Sequence, residues 1–324
     1  MKRFKNILYV AEKSITQDTN IARAVSLAQN NQAQLTIVDV VPEQTADYVM
    51  PPGVPVSADI TAAMVSERRK ALESLAAPYT GRLAFEIEIL VGIKFLEVIR
   101  AVLRNDYDLV IKAAENPDWI DRLFGSDDMH LLRKCPCPVW LMKPPEKVKY
   151  ERIVAAVDFD PEDSDSDELA LNRQILDLAG SLALSDFAEL HLVHAWDAPG
   201  AGFVRVWVDD PDIAEMNIIE CERTRHTKGM NTLTRKLRER VGAGAYEYLS
   251  PKTHLPRGEA RKAIPSLVTA LKADLVVMGT VARTGIPGFI IGNTAEAIFD
   301  QLQCSVLAIK PPGFVTPVAQ KLRE

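Results

Sequence analysis

The chain states one motif twice. NDYDLVIKAA, LFGSDD and CPCPVWLMKPP, between Asn105 and Pro145, are answered by KADLVVMGT, IIGNTA and CSVLAIKPP, between Lys272 and Pro312. Each copy runs from an Asp into a short apolar strand, through a Gly-led helix start, and into a second apolar run closed by Lys-Pro-Pro. The match extends backwards: ILYVAE at Ile7 pairs with IVAAVD at Ile153, and AQLTIVDVVP at Ala33 with AELHLVHAWD at Ala188. Gly92 and Gly258 each precede a helix. Four apolar runs in the same order point to a duplicated α/β unit, because chance similarity rarely preserves order as well as pattern.

At 324 residues the chain has the length of two domains, each able to bury an ordinary core. The first is expected over residues 1–145 and the second over 146–324, divided at the Pro- and charge-rich stretch from Pro144 to Lys149. A net charge of -6 excludes general affinity for nucleic acid or anionic lipid surfaces. The basic N-terminus MKRFKNILYVA has an apolar stretch that stops at Glu12, too short for a signal core of roughly 7 to 15 residues, and no run reaches the roughly 20 apolar residues of a membrane span. A cytoplasmic protein is expected, without membrane insertion.

Cys135, Cys137, Cys221 and Cys304 fit a reduced compartment. Cys-x-Cys can hold a soft metal, but no further His or Cys pair at ligand spacing completes a site, so small buried residues are expected and no metal centre. The Asp-x-Asp spacing in DFDPEDSDSDE lacks the Gly and terminal Glu of a calcium loop and reads as a solvated helix-capping loop.

In the first half the pattern predicts strands at Phe4 to Ala11, Gln34 to Val41, Leu83 to Val91, Asp108 to Ala113 and Pro138 to Met142. Between them it predicts helices at Thr19 to Asn30, Ala58 to Ala77, Lys94 to Arg104 and Ser126 to Lys134. The second half repeats this order from Arg152 to Ile309, with insertions at Asp158 to Glu168 and Asp197 to Asp212, the latter a loop carrying Phe203 and Trp207. Alternating strands and helices imply an α/β fold with a parallel sheet covered on both faces. The strands containing Trp140 and Leu307 are each an apolar edge that needs cover, and the two are expected to meet.

Gly279 follows the fourth strand of the second half, and Gly292-Asn293-Thr294 opens the next helix. Unpaired backbone amides at such a turn meet the physical requirement for holding phosphate. Asp158 ends the first strand, which places it beside Gly279 if strand order reverses between those strands. The spacing of Gly279, Ala282 and Gly292 resembles the nucleotide loop of the universal stress proteins, Gly-x2-Gly-x9-Gly-Ser/Thr. LLRKCPCPVW, GTVARTGI and IGNTAE are similar to the tandem UspE type of that family.

The resemblance covers nearly the whole chain and implies two Rossmann-like domains, each a five-stranded parallel sheet of order 3-2-1-4-5, paired through their fifth strands. It further implies ATP or another adenine nucleotide, with Mg²⁺, in the second domain. Asp158 would meet the adenine, the Ala195 backbone would line the base pocket, and Met278 and Gly279 would border the ribose. Ala282, Gly292, Asn293 and Thr294 would surround the phosphates, with Arg283 the cation of the loop. Ala282 in place of Gly adds a Cβ at a close approach, and Asn293 replaces Ser or Thr.

In the first half Glu12 stands at the Asp158 position, Lys112 and Ala113 stand opposite Met278 and Gly279, and Asp127 and Asp128 would face a phosphate. This half is expected to be a structural partner that retains Gly125 for a turn. His130 is expected at a core position, and His191 and His194 on opposite faces of one strand. With no nominated nucleophile or base, the leading expectation is a non-enzymatic stress-response protein. The alternatives are a binder of an apolar or nucleotide-linked lipid metabolite beside the Trp207 insertion, and a slow ATP hydrolase or phosphotransferase. Homodimerisation of the internal pair stays open.

Overall fold

The computed structural model describes residues 4–12, 18–43, 57–114, 126–161, 166–204, 208–280 and 292–318. The first half contains β1 (Asn6–Val10), α1 (Asp18–Asn31), β2 (Gln34–Val41), α2 (Ser57–Ala76), β3 (Phe85–Val91), α3 (Lys94–Asn105), β4 (Leu109–Ala113), α4 (Asp127–Lys134) and β5 (Val139–Met142). The second half contains β6 (Arg152–Ala156), α5 (Ser166–Asp186), β7 (Glu189–Val193), α6 (Ala201–Val204), α7 (Pro211–Val241), α8 (Ala243–Leu249), β8 (Lys252–His254), α9 (Ala260–Leu271), β9 (Leu275–Gly279), α10 (Asn293–Phe299) and β10 (Ser305–Ile309).

The described residues form two compact units, one of 4–149 with 305–318, the other of 150–280 with 292–304. In the first, parallel strands run β3-β2-β1-β4-β5, the expected order, and β10 joins antiparallel to β5. Leu307 faces Trp140, the pairing expected from the two apolar edges. The second unit carries β8-β7-β6-β9, all parallel. Strands β4, β5 and β10 are buried along their whole length, as apolar runs covered on both faces should be. The outer strands differ: β3 carries Glu86 and Glu88, and β8 has only three residues, both devices that discourage edge pairing.

The repeated residues turn out to do the same work twice. The Asp108 carboxylate accepts the amides of Lys5 (2.7 Å) and Asn6 (3.2 Å), and the Asp274 carboxylate those of Glu151 (2.6 Å) and Arg152 (3.0 Å). Each Asp therefore clips the start of β1 or β6 to the neighbouring strand. The preceding helices both end on a left-handed residue, Asp106 at φ 51 and Lys272 at φ 50. The turns before α3 and α9 use Gly92 at φ 141 and Gly258 at φ 130, a region open mainly to glycine. Pro265 inside α9 cannot donate to the Arg261 carbonyl, and the Gln301 side chain supplies that bond instead at 2.9 Å.

The second half departs from simple repetition after β7. The Asp197 to Asp212 segment, expected to be a loop, includes the short helix α6, whose Ala201 packs with Trp196, Ala198 and Leu255. Burial of that cluster supplies the local order that a polar loop would lack. The 31-residue α7 and the extra α8 then replace the single helix of the first half. Phe203 is 76% exposed, and Trp207 lies outside the described residues.

Candidate functional site

At the carboxyl edge of the second sheet, β6 lies between β7 and β9, with Ala156 opposite both Val193 and Met278. The strand order reverses there, the position at which open α/β sheets leave a crevice. The chain continues through buried Val157 to Asp158. Asn172 of α5 holds the Asp158 backbone from both sides, accepting from its N–H at 3.1 Å and donating to its carbonyl at 2.5 Å. This clamp fixes the main chain while leaving the carboxylate 59% exposed. The sheet thus brings Asp158, partly buried Ala195, and the β9 pair Met278 and Gly279 to one edge.

Gly279 has no room to spare, since a Cβ there would meet Leu171 Cδ2 at 2.8 Å. The Gly292 amide donates to the carbonyl of buried Thr280 at 3.0 Å, tying the start of α10 to the end of β9. Gly292 is the N-cap of α10 and offers no side-chain cap, while Asn293 and Thr294 are exposed. Ala282 and Arg283 lie outside the described residues.

Beneath Asp158 the site has a floor of stacked rings. Phe159 lies on His194 with centroids 3.9 Å apart and an interplanar angle of 21°. Phe159 also packs on α7 at Gly229, where a Cβ would meet the ring at 2.2 Å. His194 Nε2 is 2.9 Å from His226 Nδ1, and Trp196 stacks on His226 while its indole N–H donates to the Leu255 carbonyl. The Val157 carbonyl, 3.3 Å from His194 Nδ1, can only accept, which assigns the proton of a neutral His194 to Nδ1. His226 then donates from Nδ1 to His194 Nε2. Asn172, His226 and Gly229 were not singled out in the sequence; the isolated glycine within a helical pattern was the available sign of close packing.

The corresponding edge of the first half is closed by its own charges. Glu12 is buried, and its carboxylate receives Lys94 Nζ at 2.8 Å and Lys112 Nζ at 2.7 Å. Lys112, fully buried, also reaches Asp128 at 2.6 Å. Two cations and two carboxylates neutralise one another where the second half presents an exposed Asp. Helix α4 is capped by Ser126, whose Oγ accepts the Met129 amide at 3.2 Å, and Asp127 and Asp128 stand in its first turn. Gly125 lies outside the described residues. The sequence placed Glu12 and Lys112 opposite Asp158 and Met278 and set Asp127 and Asp128 against a phosphate, but it did not show that Lys94 and Lys112 join Glu12 and Asp128 in one internal ion cluster.

Other candidate groups have structural partners. His130 is stacked on Phe95 at 4.2 Å and lies near Lys134; burial, then the Lys134 charge, holds its pKa below the ordinary value. His191 and His254 meet at 2.9 Å, and burial lowers the pKa of both. Trp140 and Trp196 are buried. Phe289 lies outside the described residues. Among the described residues, no group of three His, Cys, Asp or Glu could hold a metal ion. None of their helices is long and apolar enough to cross a membrane.

The model of the universal stress protein family matches residues 3–143 and again 149–310. The chain belongs to the universal stress protein family. Universal stress protein E of Escherichia coli K12 is 31% identical over 98% of each chain. The corresponding protein of Photorhabdus laumondii is 29% identical, also over 98% of each. A putative universal stress protein of Pseudomonas aeruginosa UCBPP-PA14 superposes with a TM-score of 0.69 at 22% identity, covering 99% of this chain and 98% of that one. One from Archaeoglobus fulgidus gives 0.62 at 15%, over 95% and 97%. These likenesses in structure establish the fold. The family model matches twice, so this one polypeptide carries two domains of a stress-response family.

Proposed function

We propose that the second half of this universal stress protein binds ATP or another adenine nucleotide, with Mg²⁺, and that the first half is its closed structural partner. The observation that carries the reading is the contrast between the two carboxyl edges. Asp158 is exposed on a clamped backbone beside the Gly292 helix start, whereas Glu12 is buried against Lys94 and Lys112 beside a helix start already capped by Ser126. In this reading Asp158 and the Ala195 backbone meet the base, and Met278 and Gly279 border the ribose. Ala282, Arg283, Gly292, Asn293 and Thr294 surround the phosphates.

The nucleotide is held and not turned over by this chain alone. Asp158, 3.9 Å from His194, contributes charge at the base side, and His194 is buried and committed to Val157 and His226. Neither stands as a free base at a phosphate. Binding then shifts stability and conformation by mass action, as suits a sensor.

Calorimetric titration with ATP and Mg²⁺ should show one site. Gly292→Asp should abolish it, because a carboxylate opposes phosphate at a helix start, and Gly125→Asp should leave it intact. Equal loss in both folded variants overturns the asymmetry. Single-turnover assays with protein in excess test the second claim: product formation abolished by Arg283→Ala would identify an enzyme.

A further inference from the structure

Helix α7 presents one face that its own domain does not use. Its buried residues Met230, Leu233 and Leu237 recur at i+3 and i+4 spacing and fix one side against the core. On the opposite side Ile213, Asn217, Glu220, Thr224, Lys228 and Asn231 recur at the same spacing, and each of them is exposed. The 31-residue helix is about 46 Å long, so this stripe runs well beyond the part that the buried residues anchor. Ile213 and Met216, 51% and 62% exposed, leave apolar surface at its first end.

The charges along the helix are sorted. From Asp209 to Glu222 the chain carries six carboxylates and no Lys or Arg, and from Arg223 to Arg240 it carries seven Lys or Arg and one carboxylate, Glu239. The helix dipole favours acids in the first turn and bases in the last, but its influence fades beyond those turns, and Glu220 and Lys228 lie well inside. Pairing within the helix does not account for the sorting either. Glu220 meets Arg223 at 3.3 Å with the side chains 65% and 64% exposed, a contact of little worth. A surface acidic at one end and basic at the other is complementary to a copy of itself laid in reverse.

We propose that two copies of this chain associate through α7, packed antiparallel about a two-fold axis at Thr224. Positions equally far either side of Thr224 then come level across the axis, because an antiparallel pair reverses direction. Glu220 meets Lys228 of the second copy, Asn217 meets its Asn231, and the aliphatic stem of its exposed Arg235 covers Ile213. Thr224 packs on its own counterpart, where a short side chain lets the helices approach. A parallel pair would set acid on acid and base on base. Charge, more than apolar area, selects the partner.

The test is sedimentation equilibrium on the full chain. A monomer–dimer equilibrium that weakens as salt is raised is expected, and a monomer at every concentration overturns the proposal. Lys228→Glu should weaken association at least tenfold by setting a second carboxylate against Glu220, and Glu220→Lys should do the same, whereas the two together restore it. In a Cys221→Ser background, which removes the exposed native thiol, Thr224→Cys should form an intermolecular disulfide under diamide, since its two copies meet at the axis. Glu239→Cys, at a position 61% exposed, should not, because its copies would lie about 45 Å apart. A charge swap that fails to restore the dimer, or equal cross-linking at both positions, overturns the proposal.

Discussion

Lys112 shows how one side chain decides the character of a whole site. It sits one residue from the end of β4 with no solvent contact, and its ammonium touches both Glu12 and Asp128. Taking these charges out of water is costly, and the arrangement stands only because each charge is matched. Lys112→Met removes the buried cation at Asp128 and one of the two cations at Glu12, so it should lower unfolding free energy by about 3–5 kcal/mol in urea titrations. Adding Glu12→Gln and Asp128→Asn to that variant should recover much of the loss, since it removes the buried carboxylates that Lys112 neutralised and leaves only the more exposed Lys94 charged. A triple variant no more stable than the single one would show that packing, not charge, holds this edge. The sequence displayed the lysine within LVIKA, but its partners lie 100 residues back and 16 ahead, and only folding brings them to it.

Among the elements, α7 bears most directly on the proposed site. Gly229 lets the helix lie against Phe159, which in turn lies flat on His194. Gly229→Ala should push the helix outward and destabilise the protein by about 1–3 kcal/mol despite alanine's better helix propensity. Urea midpoints, with Trp196 fluorescence as a local reporter, check this; a gain in stability would mean that the helix has slack. The pairing of β7 with β8 carries a pH dependence. His191 and His254 are held below the ordinary value of 6.5, chiefly by burial; Glu189 favours protonation of His191 while Lys252 and Arg152 oppose it, and His191 and Lys252 oppose protonation of His254. The unfolded chain therefore takes up protons first as the pH falls below 6.5, and stability is lost in that window. His254→Gln should flatten the midpoint's fall between pH 6.5 and 5, and an unchanged slope counts against this origin.

At the scale of the molecule, β10 covers the edge that β5 would otherwise leave open. Trp140 and Leu307 face one another in strands buried from end to end, and Ser305 Oγ accepts the Lys143 amide while donating to Glu146. An apolar strand left with open hydrogen-bonding groups invites another copy. A fragment of residues 1–149, lacking β10, should therefore self-associate in sedimentation measurements, and a monodisperse monomer would show that β5 needs no cover. Among the described residues, Glu12 is buried in an ion cluster while the matching Asp158 side chain is 59% exposed, so the halves repeat in fold and differ in charge environment.

The sequence by itself determined the duplication and the alternation of strands and helices, and the family resemblance of its glycine loop implied the strand order and the seam between the fifth strands. The first two are legible because they rest on periodicity and on residues repeated at matching places: Asp108 and Asp274, Gly92 and Gly258. Several boundaries moved by a residue or two, since helix ends depend on caps such as Ser126. Tertiary structure alone decided that Lys94 and Lys112 neutralise Glu12 and Asp128, that Asn172 clamps Asp158, and that Phe159, His194, His226 and Trp196 stack beneath it. It also set the buried Lys310 ammonium on the Leu132 carbonyl. Each of these depends on contacts between residues far apart in the chain, where burial makes a charge or ring choose a specific partner, and no local pattern records that choice.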